Sequence, residues 1–193
     1  MNDFIFYFVE GWKHIISTNA LDHQLFIIAL AIIYSFKEWK KVLILVTAFT
    51  LGHSLTLALS VLDIFRLPSA ITEFLIPLTI VFTTLWNIFF FTKNKITHSN
   101  YWLALFFGLI HGMGFANSIR LMLASDQSIV TGLLGFNVGL EAGQILVVLL
   151  VLVLINILTI TLKLKRKVYI IPVSVIILLL SAKMCIDRLP AIF

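Results

Sequence analysis

The chain has 193 residues, of which 61% are hydrophobic and only 12% charged, about half the charged share of an ordinary soluble domain, so composition alone makes it an integral membrane protein. The formal net charge of +5 is spread over short connections between apolar runs, a topology signal rather than a polyanion-binding face, and nucleic acid is excluded as a partner. A single cysteine, Cys185, excludes an intramolecular disulfide and a thiolate metal cage.

At the N-terminus no Lys or Arg precedes Lys13 and the apolar run Phe4–Val9 is short, which is not the pattern of a cleavable signal peptide. Residues 1–18 read instead as an interfacial helix, with Phe4, Phe8, Trp12 and Ile15 on its apolar face and Asp3, Glu10 and Lys13 among the headgroups. Asn19-Ala20-Leu21-Asp22 then resembles a helix start with Asn19 as N-cap.

Beyond it the apolar runs predict about six transmembrane helices within residues 21–186, each near the ~20 residues a bilayer core requires. They run roughly Leu21–Phe36, Val42–Leu62, Ile71–Phe91, Tyr101–Leu123, Leu133–Leu162 and Val168–Ile186. The expected fold is therefore all-α, a polytopic helix bundle forming a single membrane domain over 1–193. Nine basic residues (Lys37, Lys40, Lys41, Lys93, Lys95, Lys163, Lys165, Arg166, Lys167) fall on one side and five (Lys13, Arg66, Arg120, Lys183, Arg188) on the other. The excess marks the first side as cytoplasmic and puts both termini outside.

Polar residues inside the spans are few and their placement is informative, because an ionisable side chain at membrane depth needs a partner or a purpose. His53 lies roughly 14 Å and His111 roughly 18 Å below the outer ends of their spans at 1.5 Å per residue. On the fifth span Gly135, Gly139 and Gly143 recur at every fourth residue, a small-residue stripe on which a homo-oligomer can close. Asn137, Glu141 and Gln144 occupy another face of the same helix. With Asp22 and His23 in the first turn of span one and His14 just before it, the outer half of the bundle can gather His14, Asp22, His23, His53, His111 and Glu141, with Ser54, Asn137 and Gln144 as supporting polar groups. Among the histidines only His98, in a cytoplasmic loop, stays apart.

Imidazoles and carboxylates without a thiol suit a borderline divalent ion, Ni²⁺ or Zn²⁺ before Ca²⁺ or Mg²⁺. The bland alternatives are a pair of histidines hydrogen-bonded between helices, a protonated Glu141 paired with amides, Asp22 as a capping carboxylate and His14 as a headgroup contact. Ser54 and Thr50 read as back-bonded to their own helix, and Thr79, Thr83, Thr84 and Asn87 as ordinary contacts between helices. Two functions remain open: a metal permease or metal-supply protein, and an intramembrane metal-dependent hydrolase or transferase at the outer leaflet, with Glu141 or Asp22 as its catalytic carboxylate.

Four ordered stretches carry a resemblance: Gly11-x-x-His14-Ile15 with Asp22-His23-x-x-Phe26; Phe49-Thr50-x-Gly52-His53-Ser54-x-Thr56-Leu57; Phe107-Gly108-Leu109-Ile110-His111-Gly112-x-Gly114-Phe115-Ala116; and Gly135-Phe136-Asn137-x-Gly139-x-Glu141-x-Gly143-Gln144. Together they resemble the HupE/UreJ family of bacterial membrane proteins, in its less-characterised branch, over nearly the whole chain. The resemblance implies a multi-pass protein of the cytoplasmic membrane and a link to nickel supply for hydrogenase and urease, with the His and Asp-His residues handling metal.

Overall fold

The computed structural model describes residues 3–91, 98–122 and 128–192. Seven helices and no strand occur among the described residues: α1 (Asp3–Ile16), α2 (Leu21–Ala31), α3 (Trp39–Val61), α4 (Ser69–Phe90), α5 (His98–Met122), α6 (Ile129–Asn156) and α7 (Arg166–Arg188). Four stretches are long and apolar enough to cross a membrane, Phe36–Val61, Ser69–Phe90, Ile129–Thr161 and Arg166–Arg188. Lys93 and Lys95, counted above for orientation, lie outside the described residues, as do the side chains of His98 and Arg120.

Glycine decides which helices touch. Gly52 of α3 faces the backbone of Leu105 and Leu109, Gly108 of α5 faces Phe49, and Gly112 faces the carbonyl of His53 and the hydroxyl of Thr56. No Cβ fits at any of the three, so α3 and α5 run parallel with their backbones in contact, the close approach that small residues permit in lipid. Thr56 Oγ1 bridges the seam, 2.8 Å from the Leu109 carbonyl.

The Gly135, Gly139, Gly143 stripe is used in the same way, but within the chain. A Cβ on Gly135 would lie 2.6 Å from the Phe4 carbonyl oxygen, one on Gly139 2.8 Å from the Phe8 carbonyl carbon, and one on Gly143 3.0 Å from Ile15 Cβ. The contacts advance in step along both helices, so α1 lies parallel to the first half of α6. This corrects one expectation: the stripe is covered by α1 and is not open to a second copy. One face of α1, with Tyr7, Gly11 and Ile15, is buried against its neighbours.

The first expected span, Leu21–Phe36, is also revised. Its helix stops at Ala31, and 11 residues reach only about 16 Å, half of what a bilayer core needs. α1 and α2 follow one another along α6, interrupted at Ser17 and a 3₁₀ turn at Thr18–Ala20. Ser, Thr and Asn offer the backbone competing local hydrogen bonds and so favour such a break. The freed carbonyls of Ile15 and Ser17 accept from Gln24 Nε2 at 3.0 and 2.9 Å, as irregular backbone in a membrane bundle demands. Asn19 falls in the turn, and α2 begins without a side-chain cap.

Pro77 sits inside α4 and has no N–H to give the carbonyl of Glu73. Arg188, at the end of α7, supplies the donor instead, with Nη1 2.8 Å from that carbonyl. The contact ties the start of α4 to the end of the antiparallel α7. Its guanidinium is thereby set beside Asp22, 3.6 Å from Oδ2.

Candidate metal centre

Four elements each bring one imidazole into one cluster, in which His14, His23 and His53 form the group close enough to share an ion and His111 stands beside them, its ring 5.0 Å from His23. His14 closes the last turn of α1, His23 opens α2 after the break, and the glycine seam brings His53 of α3 and His111 of α5 together. The ring centroids of His14 and His23 are 4.6 Å apart, those of His23 and His111 5.0 Å, and His53 lies 6.0 Å from His14 and 6.1 Å from His23. A ring nitrogen from each of His14, His23 and His53 falls within 4.8 Å of the other two.

Each of these rings keeps at least one buried nitrogen without a hydrogen bond to a described residue. His53 and His111 are completely buried, yet His14 Nε2, His23 Nε2, both nitrogens of His53 and His111 Nδ1 have no hydrogen-bond partner among the described residues. Buried polar atoms are nearly always paired, and each orphan costs about 1–3 kcal/mol. One nitrogen on each of the four rings can offer its lone pair to a ligand, the second nitrogen of His53 carrying the ring proton. The donor set is all imidazole, with no thiolate, and fits a divalent ion of the Ni²⁺, Zn²⁺ or Co²⁺ kind.

Two of the imidazoles are oriented from outside the cluster. Asp22 Oδ1 lies 2.9 Å from His23 Nδ1 and also accepts from the His23 backbone N–H at 2.9 Å. A carboxylate on the far nitrogen of a ligating histidine is the usual support of a metal site, and Asp22 stands in that position toward His23. Thr79 of α4 lies 2.9 Å from His111 Nε2.

His14, His23 and His111 line a cavity of about 350 Å³ whose walls also include Lys13, Asn19, Asp22, Glu73 and Arg188, with His53 behind them. It opens toward the end of the bundle where α4 begins and α7 ends. On the opposite side each of three histidines has a phenylalanine one turn deeper on its own helix: Phe26 after His23, Phe49 before His53 and Phe107 before His111. The Phe26 ring lies 4.9 Å from Phe49 and 5.9 Å from Phe107, and both Phe26 and Phe49 stand 5.1 Å from His111. The result is a polar well with an aromatic floor.

Of the residues singled out from the sequence, His14, His23, His53 and His111 are brought together, with Asp22 beside them. Glu141 lies apart: it accepts from the exposed Thr47 at 2.7 Å and does not line the cavity. Ser54 donates to Thr50 O at 2.7 Å on its own helix, as anticipated. Gln144 is buried and accepts from Thr50 Oγ1 at 2.8 Å, while Asn137 Oδ1 is buried with no partner among the described residues. Sequence reasoning passed over Thr79 and Arg188. Pro77 announces an unpaired carbonyl one turn earlier on α4 but not which donor fills it, and no local signal marks Thr79.

An all-helical membrane protein with a largely buried histidine cluster is the class that this fold and site define. The profile of the family described as HupE / UreJ protein matches residues 1–188. The chain belongs to that family. No curated protein and no solved structure matches it.

Proposed function

We propose that this protein binds a divalent transition metal, Ni²⁺ or Zn²⁺, within the cytoplasmic membrane, and serves as a metal permease or metal-supply protein. The observation that carries the reading is the set of five buried ring nitrogens on His14, His23, His53 and His111 that lack any partner among the described residues. Membership of the HupE/UreJ family supports it independently.

In this reading the discontinuous α1–α2 pair counts as one span, and with α3 to α7 makes six, with both termini outside. The ion is the substrate. It enters the cavity past Asp22, Glu73 and Arg188, sheds water against the imidazoles and rests above the Phe26, Phe49 and Phe107 floor. Passage inward requires those rings to part, and the break at Ser17–Ala20 gives α2 a hinge for doing so, since backbone not locked in a helix turns at little cost. The closed floor favours one alternative, a hydrolase or transferase acting from the outer leaflet, in which the metal activates water and Asp22 orients His23.

Metal analysis of protein purified in mild detergent, wild type beside His53→Ala, tests the binding claim: wild type carries close to one equivalent of ion, the variant little. Wild-type protein without metal under saturating Ni²⁺, Zn²⁺ and Co²⁺ would sink it. Uptake of the ion into proteoliposomes then separates the two functions, because a site that loads but never passes its ion belongs to an enzyme.

A further inference from the structure

Proton accounting around His111 reaches past the choice of ligands to the atoms they use. Thr79 Oγ1 lies 2.7 Å from the Ile76 carbonyl oxygen and 2.9 Å from His111 Nε2. Two oxygens at that separation need a proton between them, and a carbonyl can only accept, so the single hydroxyl proton of Thr79 is committed to Ile76. Toward His111 the same oxygen has only a lone pair left to offer. His111 Nε2 must therefore carry the ring proton and donate it. In the neutral ring the other nitrogen, Nδ1, is then bare, and it is buried with no partner among the described residues.

The same accounting applied to His23 gives the opposite answer. The Asp22 carboxylate accepts from Nδ1–H at 2.9 Å, which leaves Nε2 bare, and that atom too is buried and without a partner among the described residues. Adjacent rings, 5.0 Å apart, thus present different nitrogens, each exposed by a different acceptor on the far side.

We infer that Thr79 is a positioning residue of the metal centre: by accepting from Nε2–H it holds His111 in the tautomer whose Nδ1 lone pair is free for an ion held beside it by His14, His23 and His53, as Asp22 frees Nε2 of His23. The inference rests on the metal-binding reading. Its physical content is that without this acceptor His111 can place its proton on the nitrogen the ion requires, and that fraction of the protein cannot bind through it. Thr79 does not touch the ion.

Thr79→Val removes the hydroxyl at nearly constant shape, and Thr79→Ser keeps it. Titration of the detergent-solubilised protein with Co²⁺, followed by visible absorption, should show Thr79→Val weakened by about 10–100-fold, the cost typical of losing an outer partner, and Thr79→Ser within about threefold of wild type. Nitrogen-15 NMR of metal-free, histidine-labelled protein should place the His111 proton on Nε2 in wild type and distribute it between the two nitrogens in Thr79→Val. The inference is overturned if Thr79→Val binds Co²⁺ as wild type does, if Thr79→Ser is weakened as much as Thr79→Val, or if wild-type His111 is protonated on Nδ1. Should wild type take up no Co²⁺ at all, the metal reading fails, and the NMR assignment still decides the role of Thr79.

Discussion

Replacing Gly112 with alanine tests how the site is built, because this glycine holds no ligand and yet sets the distance between two of them. The added Cβ would lie 2.9 Å from the His53 carbonyl carbon and closer still to its oxygen and to the Thr56 hydroxyl, where ordinary contact begins near 3.4 Å. Backbone cannot step aside, so α3 and α5 must part by a good fraction of an ångström. Overpacking of this kind costs about 1–3 kcal/mol, a loss that the bundle survives. The metal centre does not survive it so well, since ligand distances must hold within roughly 0.2 Å. Gly114→Ala is the control: its Cβ would meet Ile76 Cδ1 at 2.6 Å, the free tip of a flexible side chain that can rotate away. Calorimetric titration with Co²⁺ should therefore show Gly112→Ala weakened at least about tenfold, or 1.4 kcal/mol, and Gly114→Ala little changed, with both proteins still helical by circular dichroism. If Gly112→Ala binds like wild type while Gly114→Ala fails, the glycine seam does not position the imidazoles and the reasoning is wrong.

Glu141→Gln should leave metal content unchanged while His53→Ala lowers affinity by more than the roughly 100-fold that bounds the loss of an outer partner, as read by equilibrium dialysis; a Glu141 requirement would return that carboxylate to the site. Gly139→Leu should expel α1 from its groove and lower the thermal midpoint without changing the mass measured by light scattering, whereas a change in oligomeric state would mean that the stripe also joins subunits. Gln24→Leu strands the carbonyls of Ile15 and Ser17 and should cost about 1–3 kcal/mol in an equilibrium unfolding assay; a neutral outcome would show that water already satisfies the break.

Much of the bundle is legible in the chain because lipid imposes strict rules on it. Apolar runs of the right length predict where α3, α4, α5, α6 and α7 lie within a few residues, and the same rules make His53 and His111 conspicuous as polar groups at matched depth. Residues 1–36 are the least legible part for a physical reason: α1 carries Glu10, Lys13 and His14, and that polarity reads the same whether it meets headgroups or a neighbouring cavity. A helix that lines a polar well on one face and packs on glycines with another has the same composition as one lying among headgroups.

By itself the sequence determined the solvent, the helical class, the family and the four histidines, since each follows from residue types and spacing along single helices. Tertiary structure alone decided what each helix face meets. Periodicity shows that Gly135, Gly139 and Gly143 share a stripe and that Glu141 avoids it, but not that α1 fills the stripe or that Glu141 turns to Thr47. Nor does any local pattern place Arg188 on the carbonyl that Pro77 leaves free, or Thr79 behind His111. Those contacts depend on the angle and register between helices far apart in the chain, and it is they that give each imidazole its orientation.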